Sequence, residues 1–599
     1  MLRAGDRIIL PPLLALVSFL VFYVLRSLDD NRLTSWHWVF GSVDPVKIFS
    51  ALTIGCALIA LLAWLLQRRQ SLRGPLPGLR RSTAARRFPA AQFAGRALPF
   101  VIFMVYFLCG MLFWRMPEVN IDAARYFTQA KHLELFGVRY FLTEWGKEVL
   151  AWTDMPLIPL LFGALFSLFG ESRLYIQLFT TSLFALTGVL TFKTGQALWD
   201  EETGIYGSGF LLCIPYLYTQ VPLMLVDVPV MFFLLLSIFS LIRALRSGGV
   251  WIVIASLSIF CTFLSKYSSW LMLSVLPVIV CVFSLRSEGL PKRIWIVRTG
   301  SVISASLVLM GLFILFDYDV IREQVRLLLS YQKPALKRWE ESFFSTFLFQ
   351  THPFLTVSAI VSVYAAVMRR DWKYFIILWL VLLVLILQIR RIRYVIMVFP
   401  LLALMASYGL RSLKGTDVRI VTVLCALLSS LVLAVTAYLP FLQGLSMVNL
   451  QRAGEFLDRS SSSHIEVHVI ESADPPGSLR VAVPVMDIFT AKTLIVDERG
   501  AVMRQADDAV VSPLRFTWEF RFPSYYRAAG FGVGTGTVAV ISDSAETQLP
   551  PHLDERLRTF QLVKTFDAYE GIFGFRTSVR IYERRPHERP FMTGPDYKE

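Results

Sequence analysis

Between Trp114 and Pro156 the sequence WRMPEVNIDAARYFTQAKHLELFGVRYFLTEWGKEVLAWTDMP places Glu118, Asp122, Arg125 and Asp154 where the chain leaves one apolar run and returns to another. Carboxylates and a guanidinium held at a membrane rim suit chemistry on a lipid head group; the plainer reading is an ordinary solvated loop. Further along stand Asp227 in MLVDVPVMFF, Lys266 in FLSKYSSW, and Arg390, Arg391, Arg393 and Tyr394 in QIRRIRY. Guanidinium forks are preferred partners of phosphate oxygens, so a lipid phosphate accounts for this arginine knot. The competing readings are interfacial snorkelling or pairing with a loop acid for the arginines, an N-terminal helix cap for Asp227 and an interface anchor for Lys266.

The elements that must carry these residues follow from composition. Of 599 residues, 55% are apolar and only 17% charged, and the mean hydropathy is +0.57. A soluble chain averages about 25% charged residues, so this is a polytopic membrane protein. The net charge of +15 is read through the placement of Lys and Arg around apolar runs, and nucleic acid is rejected as a partner. Cys56, Cys109, Cys213, Cys261, Cys281 and Cys425 all fall inside apolar runs, as small buried hydrophobes do, and imply no disulfide framework or zinc site.

Residues 8–26 read as a retained first span, because no small-residue cleavage site follows. A second span covers about 46–66, and the next segment carries Arg68, Arg69, Arg73, Arg80, Arg81, Arg86, Arg87 and Arg96 without a single acid. That bias marks it as cytoplasmic. The third span, about 98–114, then delivers Asp122 to the extracytoplasmic side. Residues 155–169 are too short to cross, since a span needs ~20 residues, and read as an interfacial or re-entrant helix. Ten further runs follow, at about 174–193, 203–223, 227–246, 250–265, 267–285, 294–316, 348–368, 373–389, 394–410 and 419–441. About thirteen spans result. Their parity puts Asp227, Lys266 and the 390–393 arginines on the same outer side as Asp122, and Arg243, Arg246, Arg286, Arg293, Arg298, Arg369, Arg370, Arg411 and Arg419 inside.

Residues 317–341, polar with leucines at helical spacing, suit an amphipathic helix on the outer surface. His352 and His132 read as core or cap residues. From about 445 the apolar runs shorten to strand length, at 464–470, 479–484, 537–543 and 578–584, with helical patterns near 449–459 and 553–561. These indicate a small soluble α/β domain, facing outside. GFGVGTG at 530–536 precedes a strand, the wrong order for a nucleotide-binding fingerprint. The division expected is two N-terminal spans and a basic loop (1–97), a membrane core with its outer loop 115–155 (98–444), the α/β domain (445–585) and a disordered tail (586–599).

Taken in order, IDAARY, MPLIPLLFGALFSLFGES, VDVP, SKYSS and RRIRYVIMVFP resemble the membrane glycosyltransferases of type C fold, in the protein O-mannosyltransferase and aminoarabinose transferase superfamily. The resemblance covers roughly residues 98 to 410. It implies that Asp122 is the catalytic carboxylate, that Asp227 is the second acidic position near the active site, and that Arg393 and Tyr394 are the Arg-Tyr opening a late span. Two departures stand out. Ala123 replaces the Glu that usually follows the catalytic acid, and Thr153-Asp154-Met155-Pro156 replaces the usual His-Pro-Pro or Lys-Pro-Pro, leaving donor-phosphate contact to Arg125, Lys266 or the 390–393 arginines.

The function so implied is inverting transfer of a sugar from a polyprenyl-phosphate donor to an acceptor glycan, lipid or protein on the extracytoplasmic side, with Asp122 as general base. Asp154 joins the substrate-binding set. No cofactor is required; Asp122 and Asp227 could share a divalent metal, but His and carboxylates at ligand spacing are missing from the sequence. A flippase of lipid-linked sugars and a non-catalytic membrane scaffold are the rivals. A flippase calls for internal repeats or midplane charges, whereas the charges here gather at one rim. Short basic loops point to a bacterial plasma membrane.

Overall fold

The computed structural model describes residues 45–72, 89–118, 121–286, 291–333, 345–444, 447–471, 478–497, 519–527, 536–568 and 576–585, together with Pro12 and Phe343. The first span, most of the basic loop, the GFGVGTG stretch up to residue 535 and the C-terminal tail lie outside these residues. The chain divides into two compact units, residues 1–117 with 129–443, and residues 118–128 with 444–599.

The first unit is helical. Among the described residues, six helices or helix pairs are long and apolar enough to cross a membrane: Arg173–Leu198, Asp227–Ser247, Tyr267–Leu285, Arg293–Phe316, Ile392–Leu410 and Thr416–Gln443. Shorter apolar helices include Ala97–Met111, Val250–Phe263, Pro353–Arg369 and Tyr374–Ile386. Only 17% of the apolar window of Arg293–Phe316 is buried, and Leu307, Leu312 and Leu315 point outward. That pattern requires a hydrocarbon solvent. This is an integral membrane protein.

Helices approach closely where small residues meet. A Cβ on Gly195 would stand 2.7 Å from the Cα of Gly204, between Arg173–Leu198 and Glu201–Leu212. Asp227–Ser247 and Val250–Phe263 are tied by hydroxyl pairs, Ser237 with Thr262 and Ser240 with Ser258, both at 2.9 Å. In lipid such pairs leave no hydroxyl facing hydrocarbon.

The run at 155–169 forms the helix Leu157–Phe169, 13 residues long and so about 20 Å, too short to span. Its Gly163 lies against Ala130 and Leu133. The run at 203–223 is not one helix as its hydropathy suggests. It breaks into Glu201–Leu212 and Pro215–Gln220, because Pro215 has no N–H to continue the ladder. The freed carbonyls are taken up by side chains: the Tyr218 hydroxyl donates to Leu212 O at 2.6 Å, and the Ser430 hydroxyl to Cys213 O. His352 caps Pro353–Arg369, its Nδ1 accepting from Phe354 N at 3.2 Å.

The second unit holds a five-stranded sheet of order β2-β1-β3-β5-β4, made of β1 (His464–Val469), β2 (Thr493–Asp497), β3 (Thr537–Ser542), β4 (Phe560–Ala568) and β5 (Thr577–Arg584). β1 pairs in parallel with β2 and β3, and β5 runs antiparallel to β3 and β4. One face packs under Met447–Leu457 and Ala482–Asp487 through Ile465, Val467, Val496, Ile541 and Ile581; Ile121 and Ala124 join this core. The other face packs under Pro551–Leu557.

Two local expectations are corrected. Residues 479–484 are a 3-10 turn and helix, not a strand: Ser478 Oγ accepts from Arg480 N, and Pro484 has no N–H for a ladder. The helical pattern near 553–561 ends at Leu557, and β4 begins at Phe560. Its alternation is hidden by a register shift between Leu562 and Lys564, which displaces one residue from the period of two.

Candidate functional site

The ends of the first unit's helices sort the charges into two groups. At one end Arg246 donates to Ala197 O at 2.5 Å, Arg298 to Leu245 O and Arg246 O at 2.9 and 2.7 Å, Arg411 meets Asp200 at 2.5 Å, and Arg419 meets Glu202 at 2.5 Å. These guanidinium groups serve helix C-termini and loop acids, where a cation complements the helix dipole.

The opposite end carries a different assembly. Asp227 opens the helix Asp227–Ser247 with its side chain only 2% exposed. Lys266 Nζ lies 2.6 Å from its Oδ1 and Arg393 Nε lies 2.7 Å from its Oδ2. Three separate elements supply the trio: the start of one helix, the extended residue before the helix Tyr267–Met272, and the first turn of Ile392–Val395. Short helices frame both cations, so each side chain leaves the backbone at a turn. Tyr394 closes the group, with Lys266 Nζ 5.1 Å and the Arg391 guanidinium carbon 5.7 Å from its ring centroid. One carboxylate is thus shared by an ammonium and a guanidinium in a desolvated setting. Such a centre is held together by charge-assisted hydrogen bonds. Arg390 is turned elsewhere, donating to Gln388 Oε1 at 3.1 Å and standing 5.7 Å over the Phe343 ring.

Asp154, also buried, belongs to a neighbouring network. Gln129 Nε2 donates to its Oδ2 at 3.1 Å and to Leu150 O at 2.9 Å. Gln324 Nε2 donates to the Asp154 carbonyl at 3.0 Å, and Gln324 Oε1 accepts from the Tyr267 hydroxyl at 2.5 Å. The loop before it turns through Trp152 at φ 53, a left-handed conformation that bulky residues rarely adopt. Gln129, Gln324 and Tyr267 carry no catalytic signature, and the sequence reading passed over the two glutamines. Gln324 leaves one trace: it is an amide on the inward side of an otherwise amphipathic helix.

In the second unit Asp122 opens the helix Asp122–Thr143, which Gly137 interrupts at φ 80. Its side chain is 23% exposed and faces Arg125 NH1 at 3.6 Å. Arg125 in turn lies 5.2 Å over the Tyr126 ring, with NH2 3.4 Å from the Tyr126 hydroxyl. The carboxylate is therefore faced by a cation and partly exposed. Glu118 is fully buried.

One metal-compatible group exists among the described residues. Glu466 and His468 on β1 and Asp497 on β2 each bring a ligand atom within 4.8 Å of the others. Glu466 and His468 share a strand face, and the parallel register sets His468 beside Asp497. Arg556 donates from Nε to Glu466 Oε1 at 2.8 Å and from NH2 to Oε2, so a guanidinium already neutralises that carboxylate.

A family model described as dolichyl-phosphate-mannose-protein mannosyltransferase matches residues 154–315, a window that includes Asp154, Asp227 and Lys266 and stops short of Arg393. No curated protein matches the sequence. Among solved structures, ArnT from Cupriavidus metallidurans bound to undecaprenyl phosphate is similar with a TM-score of 0.50 and 11% identity, over 82% of this chain and 98% of that one. The apo form of the same protein gives a TM-score of 0.48 and 12% identity over the same shares. The Archaeoglobus fulgidus oligosaccharyltransferase in complex with zinc and sulfate gives 0.42 and 10%, over 74% of this chain and 68% of that one. The chain has the type C glycosyltransferase fold, a mostly helical membrane architecture with a small C-terminal sheet region.

Proposed function

We propose that this protein is an integral-membrane glycosyltransferase that moves a sugar from a polyprenyl-phosphate donor to an acceptor on the extracytoplasmic side. The observation that carries the reading is the buried Asp227–Lys266–Arg393 trio, which gathers two cations from separate elements. The likeness in fold to a protein crystallised with undecaprenyl phosphate supports it. Lys266, Arg393 and Arg391 bind the donor phosphate, Tyr394 braces them, and Asp227 fixes the two cations so that they are preorganised before the lipid arrives.

Asp122 acts as general base on an acceptor hydroxyl or amine, with Arg125 orienting its carboxylate. The acceptor atom forms a bond to the anomeric carbon as the bond from that carbon to the phosphate oxygen breaks. The acceptor proton passes to Asp122, the electron pair leaves with the lipid phosphate, and Lys266 and Arg393 stabilise the developing charge. A single displacement inverts the anomeric centre. Asp154 contributes to substrate binding, the acceptor being a glycan, lipid or protein, and the setting is a bacterial plasma membrane.

The test is transfer of labelled sugar from a polyprenyl-phosphate donor by the purified protein, with Asp122→Asn beside it. Transfer by the wild type that disappears in the variant is the expected result. A wild type that neither transfers sugar nor binds the lipid phosphate removes the proposal; full activity in the variant removes Asp122 as base.

A further inference from the structure

Resting on the donor-phosphate reading above, we infer that Gln324 is a positioning residue: its side-chain amide latches Tyr267 to the Asp154 loop and thereby fixes the backbone from which Lys266 reaches Asp227. The helix Tyr318–Leu327 buries Ile321 and Gln324 while leaving Arg322, Glu323 and Arg326 exposed. An apolar residue at position 324 would complete the inward stripe at helical spacing. An amide there is instead used twice, accepting from the Tyr267 hydroxyl at 2.5 Å and donating to the Asp154 carbonyl at 3.0 Å. A second strut joins the same two segments, Leu157 N donating to Leu264 O at 3.3 Å.

Lys266 gains most from this arrangement. It sits in extended backbone at φ −167 immediately before the helix Tyr267–Met272. Its ammonium is a point charge on a long flexible stem, and where that charge stands depends on the backbone that carries it. The Tyr267 ring anchors that backbone from one side, and the Asp227 carboxylate, 2.6 Å from Nζ, receives the other end. Gln324 touches no reacting atom; it acts through Tyr267 on Lys266.

The experiment uses the full chain in detergent, with undecaprenyl phosphate as the probe and its affinity read by native mass spectrometry. Gln324→Leu, Tyr267→Phe and the double variant are compared with wild type and with Ser240→Ala, which removes a buried hydrogen bond elsewhere in the helical unit. Each latch variant is expected to weaken the lipid about tenfold, the scale of one net polar interaction. The double variant should be no weaker than either single one, because both cut the same latch. Ser240→Ala should lower the melting midpoint and leave affinity unchanged. Wild-type binding with equal binding by Gln324→Leu, or loss of affinity in Ser240→Ala matching its loss of melting temperature, overturns the latch alone. Failure of the wild type to bind overturns the donor reading and the latch with it.

Discussion

Removing the Asp227 carboxylate tests the electrostatic core of the site. The side chain is 2% exposed and accepts from Lys266 at 2.6 Å and Arg393 at 2.7 Å, partners whose own side chains are 18% and 10% exposed. Asp227→Ala takes the shared carboxylate from both cations in a desolvated space, and breaking a buried pair in this way costs about 3–5 kcal/mol. Replacing all three residues together, as Asp227→Leu, Lys266→Met and Arg393→Leu, removes both the attraction and the desolvation penalty and is expected to melt near the wild type. A phosphate that lands on Lys266 and Arg393 replaces the missing anion, and a ligand at a hundredfold excess over its Kd restores about 2.7 kcal/mol. The assay is tryptophan-fluorescence melting in detergent at one fixed heating rate, with and without undecaprenyl phosphate. Asp227→Ala should melt well below wild type and recover more than half of the loss with the lipid, and the triple variant should not respond to it. A single variant that melts like wild type, or a triple variant that melts as low as the single one, would refute the argument.

Three other outcomes follow from the same geometry. Asp122→Asn should retain the wild-type melting midpoint, its side chain being 23% exposed, while transfer falls about 10²- to 10⁴-fold, the scale of a lost general base. Arg393→Ala should weaken undecaprenyl-phosphate binding more than Arg390→Ala in side-by-side titrations, because Arg390 faces Gln388 and Phe343 and not the trio; equal losses would unseat Arg393 as the principal phosphate contact. Burial pushes the Asp317 carboxyl up to about 6, against the opposing pull of Lys147. A raised carboxyl pKa favours the protonated form in the folded state, so the cost is absent below the unfolded pKa of about 4 and complete above about 6. Asp317→Asn should therefore raise the melting midpoint above pH 6 and converge with wild type below pH 4, and a constant offset across that window would contradict the shift.

What the sequence determined by itself is the solvent and the alphabet of the site. Hydropathy located the six described spans to within a few residues, since hydrocarbon admits only self-satisfied helices, but it missed the break at Pro215. The residue types at 227, 266 and 393 announced charge recognition one by one. They did not announce each other, because Lys266 and Arg393 meet on one carboxylate only after three chain segments fold together. The same limit hid the Glu466–His468–Asp497 group: strand alternation placed the first two on one face, but Asp497 arrives through a parallel pairing with β2. It hid Gln324 as well, whose amide becomes meaningful only when Tyr267 and Asp154 stand on either side of it. Local patterns are set by covalent neighbours and the surrounding medium, and so can be read along the chain. Which cation neutralises which anion is decided by packing in three dimensions.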